Sequence, residues 1–436
     1  MKYYSLNHQS EPVGFREAAI SGQAPDRGLY FPSSIPQLDA AFIQQIHTYS
    51  NEEIAYRVIR PYVGDELDEA SLLQIVSETV NFNIPLVPVT DSVASLELYH
   101  GPTLAFKDVG ARFMSRCLSY FVKHNPDKIR GKLVVLVATS GDTGGAVANG
   151  FYKVDGVEVV ILYPSGKVSS VQEKQLTTLG HNIHALEVNG SFDDCQYLVK
   201  QAFLDQELKK QLFLTSANSI NVARWLPQQF YYFFAWKQWK DKTDPPVICV
   251  PSGNFGNICA GMLASASGLP VRHFIAACNA NAVIPGYMQT QSYQPMKAIP
   301  TISNAMDVGD PSNFVRILEL MQQDFPRLKS CFSSVSISDE ATKATLQRVF
   351  KNYQYLMDPH GAVGFLALEN YLKEHPGSKG IFLETAHPVK FYDVVEPILE
   401  QDVPIPESVA SILHKPKQAV QIDPAPEALR DFLKKM

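Results

Sequence analysis

The chain has 436 residues, of which 45% are hydrophobic and 19% charged, and its formal net charge is -6. It holds ample apolar material for packing, but its length exceeds what one hydrophobic core usually serves, so we expect two or three lobes. There is no basic excess and no Lys/Arg cluster, so nucleic acid is not expected as a partner. An anionic ligand must therefore be held by local groups.

The N-terminus and the cysteines indicate where the protein works. The first eight residues contain no apolar core of a signal peptide, and no run approaches the ~18 apolar residues of a membrane span. The six cysteines form no Cys-x-x-Cys pair, which is typical of buried free thiols in a reducing compartment. We expect a cytoplasmic protein without a membrane partner, as a monomer or weak homo-oligomer. His181 and His184 lack further ligands at a suitable spacing, so no metal site is predicted.

The first 80 residues differ from the rest of the chain. Amphipathic helical patterns cover residues 40–47, 51–63 and 71–80, and residues 26–32 are rich in turn formers. No strand, Gly-rich loop and helix follow one another here. We predict an N-terminal, mostly helical domain over residues 1–80, followed by a catalytic region over residues 81–436.

From about residue 95 onward, predicted strands and helices alternate. Continuous apolar strands suit a parallel sheet that is buried on both faces, and the alternation predicts an α/β fold. The gap between the strand groups predicts two α/β lobes with a cleft, where ligands usually bind. The strands are expected at 132–138, 157–163, 247–250, 273–277 and 380–384, helices at 192–212 and 339–355, and loops at 288–300 and 401–406.

Lys107 is the first candidate for chemistry. It stands at the end of His100-Gly-Pro-Thr-Leu-Ala-Phe-Lys107, just behind the apolar pair Ala105 and Phe106. Desolvation by such neighbours lowers the pKa of an amine and makes it a nucleophile that can form a Schiff base. The alternative interpretation is a surface lysine at the start of a helix, and the other motifs have to decide between the two.

Two Gly-rich loops at strand ends are candidates for anion binding. They cover residues 138–145 and 251–257, with helices expected from Ala146 and Ile258. Glycine lets the backbone approach a ligand, and a helix start offers free N–H groups and a positive dipole end. The alternative for either loop is a tight turn with a helix cap, but two such loops with Asn, Ser or Thr donors favour an anionic ligand. Neither loop fits a nucleotide fingerprint, so ATP and NAD are not expected.

Two more polar segments complete the candidate site. Thr385 opens a Thr-Ala-His-Pro loop after a strand, and residues 216–221 form a polar cluster. Arg224 lies five residues after Ser219, so both can face one pocket, and arginine suits bidentate capture of a phosphate. Taken alone, Arg224 is more often a surface arginine. A reactive lysine with two anion sites fits pyridoxal 5'-phosphate (PLP), an aldehyde with its own phosphate, and a second anionic molecule.

The combination of these motifs resembles the threonine synthase family of the bacterial and fungal type, over nearly the whole chain. The resemblance implies a PLP enzyme of fold type II that converts O-phospho-L-homoserine and water to L-threonine and phosphate, the last step of threonine biosynthesis. The segments that carry it are residues 28–32, 100–108, 138–144, 162–167, 216–221, 251–256, 303–307 and 385–388.

The resemblance also implies a role for each site residue. Lys107 would bind the cofactor covalently and then move protons at Cα, Cβ and Cγ of the substrate. Thr385 would lie at the pyridine nitrogen and Asp142 near the cofactor's O3′. The cofactor phosphate would be held by Gly253, Asn254, Phe255, Gly256 and Asn257. The substrate would be bound by Thr139, Ser140 and Thr143, and at its phosphate by Asn218, Ser219 and Arg224.

Two departures from a generic site of this fold type matter. Many relatives have asparagine where this chain has Asp142, which leaves its partner and protonation state open. Thr385 is a neutral hydroxyl that cannot keep the ring nitrogen protonated, so the cofactor is a weaker electron sink. Lys107 must then serve as both acid and base, which requires an amine pKa near the working pH.

Two alternatives to this function remain open from the sequence. A threonine or serine dehydratase would share Lys107 and the phosphate loop but would not need Asn218, Ser219 and Arg224. A catalytically silent relative would only bind a phosphorylated ligand, and the intact Lys107 argues against it.

Overall fold

The computed structural model describes residues 1–124 and 132–436. Its strands in chain order are β1 (Tyr3–Ser5), β2 (Tyr30–Pro32), β3 (Leu86–Pro88), β4 (Val93–Glu97), β5 (Lys132–Ala138), β6 (Val157–Pro164), β7 (Ile183–Val188), β8 (Leu212–Ser216), β9 (Val247–Pro251), β10 (His273–Cys278), β11 (Phe332–Ser336), β12 (Gly380–Glu384) and β13 (Val420–Ile422). Its helices are α1 (Phe15–Ser21), α2 (Ala40–Gln44), α3 (Asn51–Val63), α4 (Glu69–Thr79), α5 (Lys107–His124), α6 (Asp142–Phe151), α7 (Ser170–Thr177), α8 (Phe192–Leu204), α9 (Gln206–Gln211), α10 (Val222–Trp225), α11 (Gln229–Gln238), α12 (Gly256–Ala266), α13 (Val283–Thr290), α14 (Phe314–Leu320), α15 (Phe325–Cys331), α16 (Asp339–Tyr353), α17 (Pro359–Glu374), α18 (Tyr392–Leu399), α19 (Glu407–Leu413) and α20 (Pro426–Lys434).

Two sheets, packed between helices, form the frame of the protein. The first has the order β11-β10-β9-β12-β4-β3 and is parallel except for its edge strand β3. The second has the order β13-β7-β6-β5-β8 and is parallel throughout. The central strands are buried along nearly their whole length, because helices cover both faces of each sheet. The predicted α/β fold with two parallel-sheet lobes is confirmed.

The long apolar strands are the elements that the sequence predicted best. The predictions at 132–138 and 380–384 coincide with β5 and β12, and the other three fall one residue short of β6, β9 and β10. The helix predicted at 51–63 is α3, which Ser50 and Glu53 begin with a reciprocal capping box. The loop predicted at 401–406 lies between α18 and α19.

Several predicted boundaries are wrong. The helix expected over 192–212 is broken at Asp205, whose carboxylate accepts the backbone N–H groups of Glu207 and Leu208 and starts α9, and Leu212 already belongs to β8. The helix expected over 339–355 ends at Tyr353, because Gln354 adopts a left-handed conformation with φ of 55°. The loop expected over 288–300 begins with the last turn of α13.

The N-terminal residues are mostly helical but are joined by a short antiparallel pair of strands, β1 and β2, that the sequence pattern did not predict. Their apolar side chains do not form a separate core. Tyr3 and Phe15 belong to the same buried cluster as Phe113 of α5 and Trp225 of α10. A domain boundary near residue 80 stays a prediction.

None of the helices in the described ranges has the length and apolar character needed to cross a membrane. All six cysteines are free thiols, and five of them are buried, as the sequence predicted, whereas Cys331 is partly exposed.

Candidate active site

A cavity of about 800 Å³ opens at the carboxyl ends of strands from both sheets. Parallel strands bring their carboxyl ends to one edge of a sheet, which is why segments far apart in the chain meet here. All the site residues predicted from the sequence line this cavity: Lys107, Thr139, Ser140, Asp142, Thr143, Asn218, Ser219, Arg224, Gly253, Asn254, Phe255, Gly256, Asn257 and Thr385.

Lys107 is the first residue of α5, and its side chain is 17% exposed. The backbone N–H of Phe106 donates to the carbonyl of Thr385 over 2.9 Å, which fixes the lysine beside the end of β12. Its Nζ lies 4.6 Å from the centre of the Phe106 ring and 3.6 Å from Oδ2 of Asp142. Burial lowers the pKa of Lys107, against an opposing effect of Asp142. The alternative of a surface lysine is therefore wrong.

The turn from β5 into α6, here called the first corner (residues 138–145), is stabilised by hydrogen bonds among its own residues. The hydroxyl of Thr139 accepts the N–H groups of Gly141 over 3.0 Å and Gly144 over 2.8 Å. Gly141 has φ of 143°, and a Cβ there would lie 2.5 Å from the side chain of Gln172. The helix begins at Asp142 rather than at Ala146 as expected, because the Gly-rich segment already forms its first turn.

The partner of Asp142, which the sequence left open, is Lys390. The Lys390 Nζ lies 2.8 Å from Asp142 Oδ1, and Gln172 Nε2 donates to the same oxygen over 3.0 Å. Burial alone would raise the pKa of Asp142, but the ammonium groups of Lys390 and Lys107 outweigh it and hold that pKa well below its ordinary value. Asp142 is therefore an ionised carboxylate.

Sequence reasoning missed Lys390. It lies in the turn Pro388–Phe391, directly after the Thr-Ala-His-Pro motif, and is fully buried. Its Nζ also donates to the carbonyl of Thr103 over 2.9 Å and to Gln175 Oε1 over 3.0 Å. A lysine between two apolar residues, Val389 and Phe391, next to a recognised motif was the available signal.

The turn from β9 into α12, here called the second corner (residues 251–257), carries no charged side chain. Phe255 adopts a left-handed conformation with φ of 61°, and α12 begins at Gly256 rather than at Ile258 as expected. The Tyr232 hydroxyl donates to Asn257 Oδ1 over 2.9 Å. The Nδ2 of Asn257 is buried and finds no hydrogen-bond partner in the described part of the chain. This corner thus has an unused donor beside a helix N-terminus.

Arg224 lies below the polar cluster of residues 216–221 and is 4% exposed, so the alternative of a surface arginine is wrong. Its Nη1 donates to the carbonyl of Ala217, whereas its Nε has no partner among the residues described. Burial lowers its pKa to about 10, so the guanidinium remains charged at neutral pH. Asn218 Oδ1 is likewise buried without a described partner.

Asn313 connects this cluster with the second corner. Its Nδ2 donates to the carbonyl of Asn254 over 3.0 Å and lies 3.3 Å from Ser219 Oγ. The fully buried Arg316 holds Asn313 in turn, with Nη1 donating to Asn313 Oδ1 over 2.7 Å. Arg316 Nη2 also donates to the carbonyls of Ile220 over 2.6 Å and of Tyr30 over 3.0 Å. The sequence did not point to either residue.

Thr385 follows β12 and is 7% exposed, with its side chain at the cavity wall. Away from the cavity, His184 pairs with Glu158 over 2.8 Å. No group of three or more His, Cys, Asp or Glu within residues 1–124 and 132–436 is arranged to hold a metal ion.

Comparison with known proteins agrees with this geometry. Residues 87–383 match the family model "Pyridoxal-phosphate dependent enzyme", residues 2–80 match "Threonine synthase N terminus", and residues 361–433 match "Threonine synthase, C-terminal". A threonine synthase from Serratia marcescens is 43% identical over 434 residues, covering 99% of both chains.

Solved structures extend the similarity to the fold. The crystal structure of threonine synthase from Escherichia coli has a TM-score of 0.92 and 40% identity, covering 100% of both chains. A PLP-bound threonine synthase from Brucella melitensis also has a TM-score of 0.92, at 32% identity, covering 100% of this chain and 99% of the other. The chain belongs to the threonine synthase family of PLP-dependent enzymes.

Proposed function

We propose that the chain converts O-phospho-L-homoserine and water to L-threonine and phosphate, the last step of threonine biosynthesis. The observation that carries the proposal is a buried lysine amine facing a cavity with two separate sets of anion donors. One set suits the phosphate of PLP and the other suits a phosphorylated substrate. Membership of the threonine synthase family supports the same reaction.

The residues of the second corner fit the cofactor phosphate. The unpartnered Nδ2 of Asn257 and the N-terminus of α12 offer N–H donors with a favourable dipole. A Cβ at Gly253 would lie 2.9 Å from Cα of Met306, so the glycine is needed where the backbone passes closely. We assign the phosphate site to Gly253, Asn254, Phe255, Gly256 and Asn257.

The other cofactor contacts are assigned to Lys107, Asp142 and Thr385. Lys107 would hold the aldehyde end, Asp142 would lie near O3′ and Thr385 at the pyridine nitrogen. The chemistry that PLP supplies when bound is electron withdrawal from the carbons of an amino acid. A hydroxyl at the ring nitrogen, instead of a carboxylate, keeps that withdrawal modest.

The substrate phosphate is assigned to Arg224, Asn218 and Ser219. The Arg224 Nε is buried without a described partner, and an anion would supply the missing acceptor. The substrate carboxylate is assigned to the first corner, with Ser140 and Thr143 as donors. Thr139 is part of the same set, although its hydroxyl already accepts two backbone N–H groups of the turn.

Lys107 carries the proton transfers in this assignment. The overall reaction removes and restores the Cα proton, removes one proton from Cβ, breaks the Cγ–O bond so that phosphate leaves, and adds one proton at Cγ. Water then supplies the hydroxyl group at Cβ. One amine can do this if it is able to exist in both protonation states at the working pH. The lowered pKa of the buried Lys107 amine supports that role.

The decisive test is turnover of O-phospho-L-homoserine by the purified, PLP-loaded protein. We expect phosphate and L-threonine in equal amounts. The same protein should form no 2-oxo acid from L-threonine or L-serine, which is the reaction of the dehydratase alternative. A 2-oxo acid as the main product would favour that alternative, and binding without turnover would favour the catalytically silent one.

We also propose that the protein is cytoplasmic, acts as a monomer or weak homo-oligomer and has no nucleic-acid partner. In this proposal, residues 1–80 form a domain that packs against the catalytic region. The six free thiols support the cytoplasmic location, and the net charge of -6 supports the lack of a nucleic-acid partner. Sedimentation of the purified protein would measure its oligomeric state.

A further inference from the structure

Two lysine ammonium groups compete for one carboxylate in the site. Lys390 Nζ lies 2.8 Å from Asp142 Oδ1, within hydrogen-bond distance. Lys107 Nζ lies 3.6 Å from the other carboxylate oxygen, Oδ2, beyond that distance. The close ion pair therefore belongs to Lys390, and Lys107 has only the longer contact.

The position of Lys390 is fixed by its other contacts. Its ammonium group has three N–H donors, and three acceptors surround it: Asp142 Oδ1, the carbonyl of Thr103 and Gln175 Oε1. The residue is fully buried, where a charge persists only when it is paired and hydrogen-bonded. Lys390 is thus a satisfied cation that lies behind Asp142 as seen from the cavity.

We propose that Lys390 is a positioning residue that occupies the Asp142 carboxylate and so leaves the Lys107 amine free to act as a base. The inference rests on the proposed function, in which Lys107 moves protons. Lys390 acts through Asp142 and is not itself a catalytic residue.

The charges around Lys107 determine the direction in which loss of Lys390 should shift the pKa of the Lys107 amine. Burial is the largest influence on its pKa and lowers it; Asp142 of α6 raises it, and Lys390 and Arg224 of α10 lower it further. Loss of Lys390 removes one positive charge and releases Asp142 to pair with Lys107. Both changes favour the ammonium form of Lys107. Loss of the Asp142 charge, with Lys390 in place, should act in the opposite direction.

The experiment measures the reactivity of Lys107 directly. Full-length protein without cofactor is acetylated with a limiting amount of acetic anhydride at a series of pH values, and the labelled Lys107 peptide is quantified by mass spectrometry. Lys373, whose side chain is 66% exposed, serves as the internal reference. Because only the free amine reacts, the midpoint of labelling against pH reports the pKa of Lys107.

We expect Lys390→Met to move the Lys107 midpoint to higher pH, with labelling below the midpoint falling about tenfold for each unit of the shift. Asp142→Asn should move it to lower pH, and the double variant should return it toward the wild-type value. Lys417→Met, which removes a lysine that bridges Glu173 and Glu187, should leave it unchanged. In the PLP-loaded Lys390→Met enzyme, the acid limb of the kcat/KM profile should move to higher pH as well.

An unchanged midpoint in folded Lys390→Met protein would overturn the proposal. If that variant does not fold, a rise or no change in Asp142→Asn would overturn it equally. Labelling requires no turnover, so its result is independent of whether the chain makes threonine, which the product assay decides separately.

Discussion

In both the first and the second corner, the backbone runs from a parallel strand through a Gly-rich turn into a helix, but the two corners differ in charge. The first places the ionised Asp142 at the helix start, between Lys107 and Lys390. The second presents uncharged residues, with the free Nδ2 of Asn257 beside the N-terminus of α12. A negative phosphate is favoured at the second corner and would meet a carboxylate at the first. Side-chain charge, more than the turn, therefore makes the second corner the better site for a phosphate.

Removal of Lys107, which lies beside Asp142 of the first corner, should abolish the proton transfers there and leave the second corner intact. In Lys107→Ala we expect threonine formation to fall by roughly 10²–10⁴-fold or more, since general acid–base catalysis contributes about that much. PLP should still bind through its phosphate, which we measure as cofactor retained after dialysis. Substantial threonine formation without an added amine would contradict the assignment of Lys107.

Removal of Arg224 should weaken binding of the substrate phosphate and leave binding of the cofactor phosphate unchanged. A charge-assisted bond contributes roughly 1.5–3 kcal/mol, so kcat/KM for O-phospho-L-homoserine should fall roughly 10- to 150-fold in Arg224→Ala. PLP affinity should change little, because its phosphate is assigned to the second corner. Arg272→Ala, which removes an arginine that is 46% exposed and paired with Asp244, is the control. Loss of cofactor with an unchanged KM would mean that the two anion sites are exchanged.

A methyl group at Gly253 should disturb the second corner alone. In Gly253→Ala the new Cβ would meet backbone atoms, Met306 Cα at 2.9 Å and Ala305 O at 3.1 Å, which cannot rotate away. Overpacking of this kind costs roughly 1–3 kcal/mol, so the Kd for PLP should rise roughly 5- to 150-fold. In Gly286→Ala, where a Cβ meets nothing within 4 Å, PLP affinity should stay unchanged and α13 should be stabilised by roughly 0.5–1 kcal/mol. Equal PLP affinity in both variants would show that the loop does not hold the cofactor.

A carboxylate in place of Thr385 should produce the smallest change, in selectivity rather than rate. Thr385→Asp would favour a protonated ring nitrogen, so side reactions such as transamination should increase relative to threonine synthesis. The measurement is the product ratio and absorption spectrum during turnover, with thermal unfolding as the control. An unchanged ratio in a folded, PLP-loaded variant would mean that Thr385 does not contact the ring nitrogen.

The sequence predicted the two parallel sheets and the residues that line the cavity, because both can be recognised from short stretches of neighbouring residues. Continuous apolar runs marked β5 and β12, and Gly-rich or hydroxyl-rich motifs marked the ends of strands. Lys390, Arg316 and Asn313 could not be found in this way, because their role depends on contacts that the fold creates. Lys390, for instance, bonds to Thr103 across 287 positions. Strands such as β4 and β7 were missed because polar residues interrupt their apolar pattern.

The bond from Arg316 to Tyr30 has a consequence for how the protein is made. The two residues are separated by 286 positions, so β2 leaves the ribosome long before its buried donor exists. A nascent or truncated chain that ends before α14 would have neither that donor nor the support for Asn313. The earliest segment of the chain therefore completes its packing only after residue 316 has been made, and fragments that end before α14 should be targets for chaperones and proteases.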